Sequence, residues 1–311
     1  MVGVGLVNIP KLPVFSPVSL RKPSRPSFSI KASSESSNSQ SSPASTSIKE
    51  EQKPSLDSSS STATTFAAPP NFKAPEPKAF SVRPDQTWDI LGASLALFFR
   101  VGTGVFVNGY SSSVVSENEI PPGQYCLQVR EIVAYLDIDV LFYPCPRNGP
   151  NFRPKAAQMG GKQQFPYMVD PNTGVAMYES DEIIKYLVDK YGDGSIPFML
   201  KLGLLTTLTA GFALIGRMGR GSSYTPSKMP PKPLEIWAYE GSPFCKIVRE
   251  VLVELELPHI QRSCARGSPK RQILYERVGH FQVPYLEDPN TGVQMFESAE
   301  IVEYLKATYA Q

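Results

Sequence analysis

A six-residue string occurs twice in this chain. Asp170-Pro171-Asn172-Thr173-Gly174-Val175 returns as Asp288-Pro289-Asn290-Thr291-Gly292-Val293, a shift of 118. Similarity to itself at a fixed offset marks duplicated structural units rather than one large fold. The match continues on both sides. Val129-Arg130-Glu131 returns as Val248-Arg249-Glu250, Pro166-Tyr167 as Pro284-Tyr285 and Glu179-Ser180 as Glu297-Ser298, while Cys126 and Cys145 are answered 119 positions on by Cys245 and Cys264. The 311 residues therefore divide into an N-terminal segment (1–83), an apolar segment (84–114), a first repeat (115–193), an apolar linker (194–231) and a second repeat (232–311).

Within the second repeat, Leu234 to Tyr239 reads as a strand, and Pro243 suits the first turn of a helix, where no amide partner is lost. Val248, Val251, Leu252 and Leu255 fall at i, i+3, i+4 and i+7, and Val129, Ile132, Val133 and Leu136 repeat that stripe, so one face of a helix is buried in each copy. His259 to Cys264 can form a second strand and Arg271 to Val278 a second helix. Val283–Leu286 and Val293–Phe296 then flank the Asp-Pro-Asn-Thr-Gly turn, whose residues supply a preset proline φ, local hydrogen bonds and a glycine for positive φ. A last helix follows, with Ser298 expected as its N-cap and Ile301, Val302 and Leu305 on its inner face.

Ahead of each repeat lies an apolar, glycine-bearing stretch, with Gly104 to Gly109 matching Gly211 to Gly216. From the last of these glycines to the helix-start cysteine is 17 residues in copy one and 29 in copy two. The segment in copy one contains Pro121-Pro122, and paired prolines remove the donors a central strand needs. The expectation is that copy one lacks its first strand, as a skipped exon would leave it.

The order βαβα then ββα, with Pro284 opening the third strand, resembles the thioredoxin-like fold and specifically the N-terminal, glutathione-binding domain of glutathione S-transferases. The whole chain looks like plant chloroplast tandem-domain proteins of that family. The fold class expected is α/β, with two tandem thioredoxin-like domains, each preceded by an apolar helical segment. The resemblance stops at Gln311, six residues past Leu305, so the all-helical domain that supplies the electrophile pocket of full transferases is not expected.

In transferases with this motif the serine at the position of Ser242 hydrogen-bonds the glutathione sulfur; in glutaredoxin-like proteins a cysteine there attacks, and a second, where Cys245 sits, resolves. A thiol in a first helical turn gains from the helix dipole, which can bring a free value of roughly 8.5 down toward 3.5–7.5. Lys246 and Arg249 add positive charge beside Cys245, which reads equally as a reactive thiol or as a small apolar group under the helix. Cys264 ends the neighbouring parallel strand and reads either as a redox partner or as packing. The resemblance implies a cis bond before Pro284, with the Val283 backbone meeting the cysteinyl part of the tripeptide and Glu297-Ser298 gripping its γ-glutamyl end. Free amides and a hydroxyl at a helix start do suit a carboxylate, and Glu297 an amine. In copy one Phe165, Pro166, Glu179 and Ser180 hold the matching places, but no serine precedes Cys126 at the right distance, so that site is expected to be inactive.

The N-terminal segment carries nineteen serines from Met1 to Ser61, and five basic residues precede its first acid, Glu35. This is the make-up of a plastid transit peptide, and nothing before about residue 84 is expected in the fold. A net charge of +2 gives no reason to expect nucleic acid, and four cysteines with two histidines leave little for a metal site. Ile90–Val107 and Leu202–Ile215 are too short, or too interrupted by Arg100, for comfortable membrane spans; packing against the repeats is expected, with contact at a membrane surface as the other reading. Two functions stay open. One is a chloroplast glutathione-binding thiol–disulfide oxidoreductase, glutaredoxin-like, using Ser242 to Cys245 with glutathione as co-substrate and a protein disulfide as partner. The other is a non-catalytic glutathione S-transferase-like scaffold or docking module near a plastid membrane, at the stroma-facing side of thylakoid or envelope.

Overall fold

A computed structural model describes residues 66–78, 82–108, 122–124, 127–203 and 217–311, with 205, 208, 209, 211 and 212 between the last two stretches. Most of the transit peptide reading, Cys126 and residues 109–121 thus lie outside the described residues. A single 3-10 turn (Pro84–Gln86) leads into helix α1 (Thr87–Phe99). Copy one then runs β1 (Pro122–Gln124), α2 (Leu127–Tyr135), β2 (Val140–Phe142), α3 (Phe152–Gly160), β3 (Tyr167–Asp170), β4 (Val175–Tyr178) and α4 (Ser180–Tyr191). After the short α5 (Phe198–Lys201), copy two runs β5 (Leu234–Ala238), α6 (Pro243–Glu254), β6 (His259–Ser263), α7 (Lys270–Val278), β7 (Tyr285–Asp288), β8 (Val293–Met295) and α8 (Ser298–Tyr309).

The first strand of copy one is not missing, as the paired prolines had implied, but shortened to three residues. Pro122 and Gly123 pair in parallel with Leu141 and Phe142 of β2, while Gly123 and Gln124 pair antiparallel with Met168 and Tyr167 of β3. Proline is tolerated at the first position of a strand, so Pro122 starts the strand without spoiling its interior. The two helical stripes fold as their spacing predicts. Val129, Ile132, Val133 and Leu136 pack under α2 with residues of α4, and Val248, Val251, Leu252 and Leu255 pack under α6 with residues of α8.

The two copies share one sheet. Its order is β4-β3-β1-β2-β6-β5-β7-β8, joined at an antiparallel β2–β6 seam that pairs Val140 with Gln261, Leu141 with Ile260 and Phe142 with His259. Each copy alone would leave a strand edge open to other chains; the fusion uses one edge of each to close the other. Buried acids tie the seam. Asp139 accepts from Lys270 Nζ at 2.5 Å, Arg262 Nη1 at 3.1 Å and the Ser263 amide at 3.1 Å. Glu256, fully buried at the end of α6, accepts from the Asn151 and Phe152 amides at the start of α3. Asp137, its counterpart after α2, accepts from Ser268 Oγ at 2.8 Å beside the start of α7. Copy two thus satisfies α3-start amides of copy one directly, while Asp137 of copy one holds the Ser268 hydroxyl that in turn accepts the Lys270 amide at the start of α7.

The N-terminal segment enters the fold earlier than its average composition implied. Phe66, Ala68, Phe72 and Ala74 pack on the core of copy two, with the Phe66 ring 5.4 Å from Tyr309 and the Phe72 ring 5.0 Å from Tyr304. A local cluster of two phenylalanines was diluted by the serines before it. Helix α1 packs against α6, and Arg100, 2% exposed, forms a two-pronged pair with Glu131 of α2 at 2.7 and 2.5 Å. Arg217 grips Glu250 of α6 in the same way at 2.8 and 2.5 Å. The arginine inside the first apolar segment and the one just after the second are thus buried clasps, each onto the copy that follows it. No helix among the described residues is long and apolar enough to cross a membrane.

Candidate functional site

Strand β5 delivers the chain to the Gly241-Ser242-Pro243 turn, and Pro243 opens α6 as expected. Ser242 is buried, and its Oγ accepts the Cys245 amide at 3.3 Å, so the hydroxyl assigned to a glutathione sulfur is engaged as a helix cap. The segment after α1 closes over this turn. Leu97, Arg100 and Thr103 line a small cavity with Ser242 and Pro243, and Val105 lies against Gly241 so closely that a Cβ there would collide. The same segment is stitched down just beyond Cys264, where Arg266 donates its amide to the Val105 carbonyl at 2.7 Å and Val107 returns the bond to Arg266 at 3.0 Å.

Neither thiol of copy two behaves as the helix-dipole argument alone predicts. Cys245 and Cys264 have no exposed surface and are free cysteines. Burial pushes the Cys245 thiol up, outweighing the Ser242 hydrogen bond and the Arg249 charge. Cys264 is raised further, first by burial and then by the neighbouring Cys245. They belong to separate apolar clusters: Cys245 lies with Ile236 and Val248, Cys264 with Trp237 and Leu274. The half-buried Cys145 is pushed up to about 12 by burial and the Glu256 charge. Among the described residues no His, Cys, Asp and Glu cluster is placed to hold a metal ion.

Before β7 the Val283–Pro284 bond is cis, as is Phe165–Pro166 in copy one. Among the described residues the Val283 amide and carbonyl make no hydrogen bond. Glu297 and Ser298 sit where the third strand pair hands over to α8, but the cap position falls to Glu297, with φ of 71°, and Ser298 is the first helical residue with no capping bond. Glu297 Oε1 accepts from Gln282 Nε2 at 3.0 Å and from the backbone amide of Lys78 at 2.8 Å. Lys78, Arg83 and Gln86 then wall the mouth with Phe244 and Ser298, held by Lys78 on Glu300 and Arg83 on Glu303. The N-terminal segment thus covers both places, Ser242 through Leu97, Arg100 and Thr103, and Glu297 through Lys78.

Copy one differs. Glu179 stands at the matching place with φ of 69°, is exposed, and among the described residues its carboxylate accepts only from Gln164 Nε2. Ser180 opens α4, and the Phe165 backbone before Pro166 makes no hydrogen bond among the described residues. Glu179, in the copy expected to be inactive, is thus exposed, and Glu297, in the copy expected to be active, is covered by Lys78.

A scan of known families matches the glutathione S-transferase N-terminal domain at residues 119–195 and again at 237–311. The chain belongs to that family, in tandem form. No curated protein and no solved structure matches it. Both glutathione S-transferase domains carry a further device that the sequence reading passed over. Asp288 Oδ2 accepts from Tyr304 and Tyr309, each at 2.6 Å, and Asp170 Oδ2 accepts from Tyr186 and Tyr191 at the same distances. Tyrosines 16 and 21 residues after each repeated aspartate were the available signal. The repeated turn is thus an anchor for the last helix of each glutathione S-transferase domain, the helix that Ser180 or Ser298 opens.

Proposed function

We propose that this chain is a non-catalytic scaffold, a docking module built on the glutathione S-transferase fold and acting in the plastid. The observation that carries this reading is the filling of the copy-two groove by the chain's own N-terminal segment, from Lys78 on Glu297 to Val105 on Gly241. A tripeptide and that segment compete for the same groups. The face turned outward supplies a docking surface: Trp88, Leu91, Leu95 and Phe98 form an exposed apolar stripe along α1, and Leu205, Leu208 and Phe212 are exposed beside it, with Phe212 5.8 Å from Phe99. The stripe begins with an indole, and exposed Lys201 and Arg220 flank the second segment, a combination suited to an anionic lipid surface.

The oxidoreductase reading keeps one observation in its favour, a Val283 backbone that makes no hydrogen bond among the described residues. Glutathione-dependent reduction of a small mixed disulfide by the full chain separates the two. The scaffold reading expects background rates that Ser242→Ala and Cys245→Ser leave unchanged; turnover lost in Cys245→Ser would establish thiol chemistry instead. For docking, flotation with vesicles containing anionic lipid is expected to carry the parent and to fail for Trp88→Asp with Phe98→Asp. Failure of the parent to float removes the lipid assignment.

A further inference from the structure

The duplicated Val-Arg-Glu triplet puts Arg130 on α2 and Arg249 on α6, and the fused sheet turns these equivalent arginines into one crevice. Its volume is about 150 Å³, against the roughly 10–15 Å³ that one water requires. Arg220, Lys246, Glu240 and Glu250 complete the charged lining, four cations against two anions.

The anions are already committed. Glu250 is gripped by Arg217, and Glu240 lies 2.8 Å from Arg249. Lys246 is the group left over. It is 7% exposed, and its ammonium has no hydrogen-bonding partner among the described residues. Copy one has Leu127 at the equivalent position, so an apolar side chain would suit that helix face. A buried, unpartnered ammonium is costly to the fold, and an anion that supplies its partner removes the cost.

We propose that this crevice between the two copies is a binding site for a small tetrahedral oxyanion, phosphate or a phosphate monoester, held by Lys246 with Arg130 and Arg249. Guanidinium groups present paired donors that match phosphate oxygens, while the ammonium acts as a point charge at the crevice wall. The crevice shares Glu240 with the small cavity at Ser242, but Lys246, Arg130 and Arg249 line only the crevice, and the proposal does not rest on the scaffold reading.

Isothermal calorimetry of the full chain with inorganic phosphate, and separately with glycerol 3-phosphate, tests it. Saturable one-site binding is expected, weakened tenfold or more in Lys246→Met and in Arg130→Gln, and unchanged in Lys306→Met on the exposed side of α8. Binding of phosphate alone restricts the site to the free ion, and binding of both shows that it admits an ester. Folding does not confound the result, because Lys246→Met removes a buried charge and is expected to melt no lower than the parent in phosphate-free buffer. Phosphate should then raise the parent's melting temperature but not the variant's. Absence of saturable binding for both anions, or binding that Lys246→Met leaves intact, overturns the proposal.

Discussion

His259 stacks on Phe142 across the seam between the two copies, with ring centroids 5.4 Å apart and planes 20° from parallel. The imidazole has no exposed surface; its Nδ1 lies 2.9 Å from the Leu257 carbonyl and its Nε2 has no partner among the described residues. Burial brings its pKa down from 6.5 to about 3, with the Arg130 and Arg249 charges adding to the effect. The unfolded chain therefore binds a proton that the folded chain refuses. Stability from this group is complete above pH 6.5 and is lost as pH falls toward 3, with a slope approaching 1.4 kcal/mol, about one pKa unit's worth, per pH unit. Urea midpoints measured across that window should fall in the parent and show a shallower fall in His259→Leu.

The clasp between Arg100 and Glu131 is 2% and 1% exposed on its two side chains. Glu131 is pushed up to about 7 by burial, against the pull of Arg100. Replacing Arg100 by Met strands a buried carboxyl, and a loss of about 3–5 kcal/mol is expected. The double variant Arg100→Met with Glu131→Gln should recover a large part of it. Denaturation of the four proteins of this cycle gives the coupling directly; a coupling near zero would mean the clasp is only packing.

Phe66 and Phe72 are the apolar anchors of the segment that covers Glu297. Alanine at both should cost about 1–3 kcal/mol each in local stability and accelerate amide exchange across residues 66–78. If the covered groove is what excludes glutathione, the double variant gains retention on immobilised glutathione that the parent lacks.

Asp288→Ala leaves two tyrosine hydroxyls that are wholly enclosed, since Tyr304 and Tyr309 are 2% and 0% exposed. Charged hydrogen bonds of this kind contribute about 1.5–3 kcal/mol each, so a loss of about 3 kcal/mol or more is expected. Asp170→Ala should cost less, because Tyr186 and Tyr191 keep access to water. In Asp170 burial alone would raise the pKa, but the hydrogen bonds from Tyr186 and Tyr191 overcome it and the value is lowered. Its contribution is present at neutral pH and disappears as pH falls through the acid range, which thermal melts of Asp170→Ala against the parent would reveal.

Cys245 and Cys264 should resist iodoacetamide at neutral pH in the folded chain and react once it is unfolded in urea. Rapid native-state labelling of Cys245, located by peptide mass, would show a groove that opens far more readily than its packing implies.

Much of this was legible in one dimension. Periodicity located α2 and α6 because a helix buries residues three and four apart, whatever its partner. The Asp-Pro-Asn-Thr-Gly turn announced its hairpin through local backbone chemistry, and its glycines do take positive φ, 72° and 76°. The shortened β1 was misread because two prolines argue against a strand locally, while β2 and β3 on either side supply the ladder. Cys245 was left open between two readings for a related reason: the helix dipole is written in its position in the chain, but the desolvation that outweighs it depends on what packs above.

The sequence by itself determined the duplication, the fold of each copy and the place of the Ser242, Val283 and Glu297 groups, because these follow from repeat spacing, side-chain periodicity and turn residues. Only the tertiary structure decided that the two sheets join at β2 and β6, that residues 66–78 and 82–107 pack on copy two, and that Arg130 and Arg249 face one crevice. Those are contacts between groups up to 243 residues apart, such as Phe66 with Tyr309, and they are set by which surfaces fit together and exclude water, a property no local stretch of chain contains.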